Sequence, residues 1–377
     1  MVDGYEAGSA RVALQCSGLG HVSRGYESFA REAFDHLASA SDLWLVKGGG
    51  TTGGREIRLT NTKRDGYVAR ASSKAFKISP YLAEQATFFA SLTRWLTRHP
   101  VDLLWISDWS VGKLLSWHRR RTGGRYRLLL TNGGPDPPPF DHVDLVHQIS
   151  PALHELAIAA GEPPARQRMI PYPIVAPEPA PVDVPSLRSR LELPPDRPIV
   201  LSVAAVNSGH KRLDYVIAEL GRLDDPPYLA MIGQQDGETP AIRRLAEQAL
   251  GADGFTIRTV PAADVPDYYR AADAFVLGSF REGLPRALLE AMSYGLPCVT
   301  HDWATTRYAL AEFGWYGDFA AQGALAELIP AALADRRAPE RSRRARERFS
   351  WSSLTCSYLD LLAEAATVPL PAGARRR

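Results

Sequence analysis

The feature that most constrains the fold is a repeated order of an apolar run, a glycine-containing loop and a helical pattern. It appears first as "RVALQC", "SGLGHVSRGY" and "ESFAREAFDHLA" at residues 11–38. It returns as "PIVLSVAAV", "NSGHKR" and "LDYVIAELGRL" at residues 198–223. Short apolar runs that alternate with helices are typical of parallel sheets covered by crossover helices. The sequence therefore predicts an α/β protein built from two similar halves.

A proline-rich segment separates the halves. The 377 residues are long for one hydrophobic core, and two domains are the default expectation for this length. Residues 173–197 hold many prolines, which block helices and central strands, so we interpret them as a linker. The sequence predicts domains at residues 1–174 and 175–345, followed by a C-terminal helix and basic tail at 346–377. Both domains are expected to be Rossmann-like, doubly wound parallel sheets that face a central cleft, with the ligand at the carboxyl ends of the strands.

The composition of the chain is that of a globular protein. Apolar residues make up 45% of the chain and charged residues 23%, as in ordinary soluble proteins. Neither a secretory signal nor an apolar run of about 18 residues is evident, so we expect a cytoplasmic, non-spanning protein. The three cysteines, Cys16, Cys298 and Cys356, lack metal-type spacing and are expected to be small buried side chains.

The charge is unevenly distributed along the chain. Residues 1–175 hold 21 Lys and Arg against 16 Asp and Glu, a net +5 in a chain whose total is +2. This basicity is suited to an anionic acceptor or to weak peripheral contact with a membrane surface. The alternative is a set of solvated surface arginines, such as Arg119, Arg120 and Arg121 beside a turn. No partner of the nucleic-acid class is expected.

Two glutamates eight positions apart stand out in "SFREGLPRALLEAMSYGLPCVTH" at residues 279–301. The apolar run before this segment predicts a buried strand ending near Ser279. Pro285 suits the first turn of a helix that stops near Gly295, and "LPCVTH" predicts the next strand. Glu282 then lies just before the helix, and Glu290 lies inside it.

This arrangement suits a ligand with hydroxyl groups on both sides of a phosphate. A helix N-terminus offers N–H groups and a partial positive charge to phosphate. Two carboxylates beside it would repel phosphate but accept hydrogen bonds from hydroxyl groups. A nucleotide sugar has ribose hydroxyls, then a diphosphate, then sugar hydroxyls.

The segment at residues 279–300 resembles the signature of the family 4 glycosyltransferases, a retaining group with the GT-B fold. That signature places two glutamates in an E-G-x-P-x-x-x-x-E frame, followed by A-M-x-x-G-x-P-V-V. The resemblance implies that Glu290 accepts hydrogen bonds from the ribose and Glu282 from the transferred sugar. Backbone N–H groups of Gly283 and Leu284 would steady the sugar or phosphate. The alternative is that both glutamates are solvated residues flanking a helix.

The family usually supplies an arginine and, several residues later, a lysine for the diphosphate. Here Lys211 stands at the lysine position, while Ala205 replaces the arginine. Arg212 or His210 would then replace the missing charge, although Arg212 also suits an exposed helix start. Gly233, which ends the run "YLAMIG", is counted among the expected binding residues.

In the first domain the resemblance points to two further places. Asn132 stands where the family often has a histidine near the sugar, and it is also a suitable turn-forming residue. Gly20, with Gly18, is expected to let the chain approach a ligand closely. His21 and Arg24 in the same loop are candidates for contact with the acceptor or the leaving phosphate.

The resemblance implies a retaining glycosyltransferase that uses a nucleoside diphosphate sugar as donor substrate. Neither a further cofactor nor a bound metal is expected, since no D-x-D triplet occurs in the chain. The acceptor is expected to be a small molecule or glycan, such as a natural product or an envelope saccharide or lipid. Two alternatives stay open: a nucleotide-sugar epimerase on the same fold, and a non-catalytic relative that binds nucleotide sugars.

Overall fold

The computed structural model describes residues 10–22, 24–63, 66, 79–134, 136–178 and 181–370. The extreme N-terminus, most of the segment 64–78 and the end of the basic tail lie outside these residues. The chain divides into two compact units, one from Met1–Pro173 and Leu354–Arg377, the other from Ile174–Ser353.

The first unit contains a parallel sheet whose strands lie in the order β3-β2-β1-β4-β5-β6-β7. Its strands are β1 Val12–Cys16, β2 Leu43–Lys47, β3 Glu56–Arg58, β4 Leu103–Ile106, β5 Arg127–Asn132, β6 Leu145–Gln148 and β7 Gln167–Met169. The helices that follow the strands are α1 Gly25–Leu37, α2 Pro80–Leu96, α3 Trp109–Thr122 and α4 Pro151–Ala159. The central strands are buried throughout because helices cover the sheet.

The second unit contains a parallel sheet in the order β10-β9-β8-β11-β12-β13. Its strands are β8 Ile199–Val203, β9 Tyr228–Ile232, β10 Phe255–Arg258, β11 Ala274–Leu277, β12 Cys298–His301 and β13 Gly314–Gly317. Its helices are α5 Val184–Arg190, α6 Leu213–Leu220, α7 Thr239–Leu250, α8 Val265–Ala271, α9 Arg286–Ser293, α10 Ala304–Leu310, α11 Ala324–Leu333 and α12 Ala338–Phe349. The prediction of two parallel-sheet α/β domains is confirmed.

Each sheet reverses its direction of growth once. In the first unit the chain adds strands outward from β1, then returns to place β4 on the other side of β1. In the second unit β8 and β11 have the same relationship. Loops that leave the carboxyl ends of such neighbouring strands diverge and open a crevice, which is where α/β sheets bind ligands.

The proline-rich segment contains a helix, so the expectation that it holds none is wrong. Helix α5 begins after Asp183, whose Oδ1 accepts a hydrogen bond from the backbone N–H of Ser186 at 3.3 Å. Pro185 lies in the first turn, where a missing N–H costs nothing. Proline therefore starts a helix here instead of preventing one.

The last helix, α13 Trp351–Thr367, begins in the second unit, and the chain re-enters the first unit at Leu354. Tyr358 is buried against Phe29 and Trp105, with ring centroids 5.9 Å and 6.0 Å away. Its hydroxyl donates to the carbonyl of Pro171 at 3.1 Å. This packing attaches the helix to the core of the first unit.

Two of the three thiols are buried, as expected. Cys16 and Cys298 lie in strands, but Cys356 is exposed, so the prediction is wrong for that residue. Cys356 lies on the outer face of α13, whose inner face carries the apolar side chains. Among the described residues, no helix is long and apolar enough to cross a bilayer.

Candidate functional site

The candidate site lies in the second unit, where the loops after β8 and β11 leave adjacent strands. Lys211, from the first loop, donates from Nζ to Glu282 Oε1 of the second loop at 2.6 Å. His210 Nε2 lies 3.1 Å from the same oxygen. The hydroxyl of Thr305 donates to the backbone carbonyl of Glu282 at 3.0 Å and so fixes the loop from the side of α10.

Glu282 is held in its charged form. Burial acts to raise the pKa of Glu282, since only 12% of its side chain is exposed. The hydrogen bond from His210 and the charge of Lys211 outweigh that effect and lower the pKa to about 2. Glu282 is therefore a carboxylate at neutral pH, an acceptor of hydrogen bonds and a poor proton donor.

Glu290 forms a second polar group one turn into α9. The hydroxyl of Tyr269, on α8, donates to Glu290 Oε2 at 3.0 Å and also contacts the carbonyl of Ala287 at 3.2 Å. Arg286 lies 3.5 Å from the other carboxylate oxygen. Burial raises the pKa of Tyr269, and the charge of Glu290 raises it further, so the phenol stays protonated. Sequence analysis missed Tyr269, which lies in the short helix VPDYYRA outside any recognised motif.

The helix that follows Glu282 and contains Glu290 forms as predicted. Pro285 is the N-cap of α9, and the helix ends before Gly295, whose φ of +81° suits glycine. No described side chain caps its N-terminus. The N–H of Leu288 already bonds to the carbonyl of Pro285 at 3.0 Å, which leaves the N–H groups before it for an external acceptor. Leu284 and Gly283 are buried immediately before this helix start.

The loop that carries His210 and Lys211 is fixed by a residue at the start of the neighbouring helix α7. Glu238, at the start of α7, accepts hydrogen bonds from the backbone N–H of Ser208 at 2.9 Å and from the Ser208 hydroxyl at 2.5 Å. Ser279, at the carboxyl end of β11, is buried, and its hydroxyl has no hydrogen-bond partner among the described residues. A buried hydroxyl of this kind is suited to a ligand or a water molecule. Sequence analysis did not predict a role in the site for Glu238 or Ser279.

The contacts of Arg212 are with aromatic rings and backbone carbonyls. Its guanidinium lies 3.6 Å from the ring centroid of Phe280 and 4.3 Å from that of Tyr215. It also donates to the carbonyls of Phe319 at 3.1 Å and Gly278 at 3.4 Å. The predicted role of Arg212 at the diphosphate stays a prediction, and these contacts give the side chain a structural function.

Ala205 and Gly233 lie close together in neighbouring loops. The backbone N–H of Ala204 donates a hydrogen bond to the carbonyl oxygen of Ile232 at 3.0 Å. A Cβ at Gly233 would lie 1.8 Å from the carbonyl oxygen of Ala204. Glycine at position 233 is therefore required by the approach of the two loops, whether or not a ligand also lies there.

The loop after β1 in the first unit also contains a close backbone contact. Gly20 has a φ of +84°, and a Cβ there would lie 2.3 Å from the carbonyl carbon of Gly49. His21 Nδ1 lies 3.9 Å from a carboxylate oxygen of the buried Glu84, and burial lowers the pKa of His21. Arg24 is the exposed N-cap residue of α1. Their predicted contacts with an acceptor stay predictions.

Asn132 is buried at the end of β5. Its Nδ2 donates to Gln148 Oε1 at 3.0 Å and to the carbonyl of Asp136 at 3.2 Å. Its Oδ1 accepts from the backbone N–H of Asp136 at 3.0 Å. These bonds match the turn-forming alternative. A role at the sugar, which stays a prediction, would require some of them to be exchanged.

The described residues contain no cluster of three or more His, Cys, Asp or Glu side chains arranged to hold a metal ion. The cation nearest to Glu282 is the ammonium of Lys211.

Comparison with known proteins finds similarity to glycosyltransferases. Residues 183–349 match the model of the family described as glycosyl transferases group 1. The second unit is similar to that family. The matched range contains Lys211, Glu282 and Glu290. A curated relative, the D-inositol 3-phosphate glycosyltransferase of Xylanimonas cellulosilytica, is 30% identical over 190 residues, which cover 48% of this chain and 45% of the relative. The chain thus spans about half the length of this relative.

Solved structures extend the likeness of fold to almost the whole chain. Sucrose-phosphate synthase from Thermosynechococcus elongatus has a TM-score of 0.78 at 19% identity, covering 95% of this chain and 100% of that one. HepE of Anabaena, solved in complex with UDP-glucose, has a TM-score of 0.74 at 15% identity, covering 94% and 100%. The two-domain GT-B fold is confirmed.

Proposed function

We propose that this protein is a retaining glycosyltransferase that moves a sugar from a nucleoside diphosphate sugar to an acceptor hydroxyl. The observation that carries the proposal is the contact of Glu282 with Lys211 and His210 at the carboxyl ends of β8 and β11. The match of residues 183–349 to the glycosyl transferases group 1 supports it.

The charges of Glu282 and Lys211 fit a donor substrate that carries hydroxyl groups next to phosphates. Ionised Glu282 accepts hydrogen bonds from sugar hydroxyls, and bonds to charged acceptors are the stronger ones. Lys211 carries three donor hydrogens, so it can contact Glu282 and a phosphate oxygen together. The uncapped start of α9 adds N–H groups for the phosphate or sugar.

Glu290 is proposed to bind the ribose. Its carboxylate accepts from Tyr269 through Oε2 and contacts Arg286 only at 3.5 Å through Oε1. Each carboxylate oxygen has two acceptor positions, so two ribose hydroxyls can be bound while the bond from Tyr269 is kept. Tyr269 would then be a positioning residue for Glu290.

In the reaction, the bond between the anomeric carbon and the phosphate oxygen breaks, and the acceptor oxygen bonds to the same carbon from the same face. The acceptor proton passes to the departing phosphate oxygen. Lys211 and the N–H groups of α9 stabilise the charge that grows on that phosphate. Glu282, with a pKa of about 2, orients the sugar and does not supply a proton. This chemistry needs no metal or further cofactor.

The acceptor is proposed to be a small molecule or glycan in the natural-product or envelope class. The similarity to the D-inositol 3-phosphate glycosyltransferase makes a phosphorylated polyol one acceptor to test. The complex of HepE with UDP-glucose makes UDP-glucose the first donor to test.

Incubation with radiolabelled UDP-sugars, with and without an acceptor mixture, tests the proposal. Transfer of label to an acceptor with the α configuration retained is the expected result. Isomerised donor without transfer would indicate the epimerase alternative. Donor binding without transfer or hydrolysis, for every nucleotide sugar, would indicate the non-catalytic relative.

A further inference from the structure

The outer face of α3 in the first unit combines cations with large apolar side chains. Its exposed residues between the helix ends are Lys113, Leu114, Trp117, Arg120 and Arg121. Their spacing places them on one side of the helix, where residues three and four apart are neighbours. We refer to these five residues as the basic–aromatic stripe. Trp117 is 53% exposed and Leu114 is 37% exposed.

No carboxylate balances the stripe on its own helix or on the exposed face of the adjacent one. Helix α3 contains no Asp or Glu. The adjacent helix α2, which contacts α3 through Phe89 and His118, contains only Glu84, and that residue is fully buried. Within the described residues Arg120 and Arg121 form no ion pair, and Arg121 lies 5.8 Å from the ring of Trp117.

Contacts within the fold account for only part of this basic charge: Lys113 Nζ lies 3.5 Å from the ring centroid of Trp109. Arg119, which the sequence grouped with its two neighbours as a solvated arginine, is buried and pairs with Asp144. Arginines in a last helical turn also favour the helix dipole, which accounts for some of the basic charge. The dipole does not account for Lys113 in the first half of α3, nor for an exposed indole between the cations.

We propose that the basic–aromatic stripe docks the first unit on a bilayer surface that contains anionic phospholipids. Cations on such a surface attract the negative headgroups, and an indole with a polar N–H favours the boundary between headgroups and acyl chains. The combination of three cations, two apolar side chains and no exposed acid on α3 distinguishes this face from an ordinary solvated helix.

The test measures sedimentation of the full chain with vesicles. One set contains phosphatidylglycerol and phosphatidylcholine, and the other contains phosphatidylcholine alone. Binding to the anionic set, weakened by salt because the charges are screened, is expected. Arg120→Glu combined with Arg121→Glu should reduce the binding constant by at least about 30-fold, since each cation contributes on the order of fivefold.

A matched control separates the stripe from net charge. Arg243 and Arg244 are exposed on α7 of the second unit, and their double change to Glu alters the net charge by the same amount. This control should keep vesicle binding. Trp117→Ala should weaken binding severalfold and Trp117→Phe should restore part of it, whereas Leu156→Ala, at a 58% exposed residue of α4, should have no effect.

Several results would overturn the proposal. They are an absence of wild-type binding to anionic vesicles, equal losses in the two double variants, and binding by Trp117→Ala equal to wild type. Binding to single-stranded DNA without binding to vesicles would assign the stripe to a different polyanion and would also reject the membrane. Unchanged thermal unfolding of each variant shows that its surface, and not its fold, has been altered.

Discussion

The ammonium of Lys211 lies 2.6 Å from the carboxylate of Glu282, although the two residues are 71 positions apart in the chain. The pair joins the loops that follow two adjacent strands. The pair brings a cation and an anion together, so a bound diphosphate would contact Lys211 and a bound sugar would contact Glu282.

Glu282→Gln should reduce turnover with the full donor while leaving the affinity for free UDP unchanged or slightly higher. The amide keeps the shape but removes the charge that binds sugar hydroxyls, and it releases Lys211 for the diphosphate. We expect kcat to fall about 100-fold, as for loss of one preorganised contact. Calorimetry with UDP and steady-state kinetics measure the two effects. Equal losses for donor and UDP would contradict the assignment of Glu282 to the sugar.

The same carboxylate should make stability depend on pH. The pKa of Glu282 is about 2 in the folded protein against an ordinary 4.5. Its ion pair therefore stabilises the fold fully above about pH 5, and this stabilisation is lost as the pH falls towards 2.

Thermal unfolding of wild type and Glu282→Gln at several pH values measures this dependence. The difference in midpoint should shrink as the pH falls below 4.5, because the variant has no group to protonate there. The corresponding loss of free energy is about 2 kcal/mol by pH 3. A difference that stays constant down to pH 3 would show that Glu282 is not held by the ion pair.

Lys211→Ala and Arg212→Ala should affect different properties. Lys211→Ala should reduce kcat about 100- to 1000-fold, because a fixed cation is most valuable when charge grows on the leaving phosphate. Arg212→Ala should mainly lower the thermal midpoint, since its guanidinium packs on Phe280 and bonds the carbonyl of Phe319. Activity per folded molecule, measured well below the unfolding midpoint, separates them. Normal turnover in Lys211→Ala with none in Arg212→Ala would reverse the assignment.

The sequence predicted the features that depend on residues close together in the chain, namely the strands and helices. The alternation of apolar runs and helices gave both sheets, and Pro285 marked the start of α9. It could not predict which side chains meet across the sheet. The bond from Tyr269 to Glu290 joins residues 21 positions apart on different helices, and the orientation of Arg212 depends on a left-handed backbone with a φ of 50°. Proline composition predicted a linker, but a single N-cap aspartate, Asp183, was enough to start α5.

Tyr269→Phe should weaken UDP binding through Glu290. The ring would keep its stacking on Tyr294, whose centroid lies 5.3 Å away, while the bond to Oε2 is lost. We expect a loss of about 1 kcal/mol, and of about 1 to 3 kcal/mol for Glu290→Gln. Calorimetry gives both values.

The double variant decides whether Tyr269 acts through Glu290. If it does, Tyr269→Phe should add little to Glu290→Gln, because the carboxylate that the phenol positions is already changed. Additive losses would show that the two residues act separately. Unchanged UDP affinity in Glu290→Gln would remove that residue from the ribose site.

Ala205→Arg restores the arginine that the family resemblance expects at this position. Position 205 is partly exposed and lies between β8 and the loop that carries Lys211, so a longer side chain has a route out of the core. A second cation near the diphosphate should tighten UDP binding by about 1.5 to 3 kcal/mol, the range for hydrogen bonds to charged groups. It should also restore part of the turnover lost in Lys211→Ala. Ala205→Gln, which adds length without charge, is the control, and equal gains from Gln and Arg would show that charge at this position is not what the site lacks.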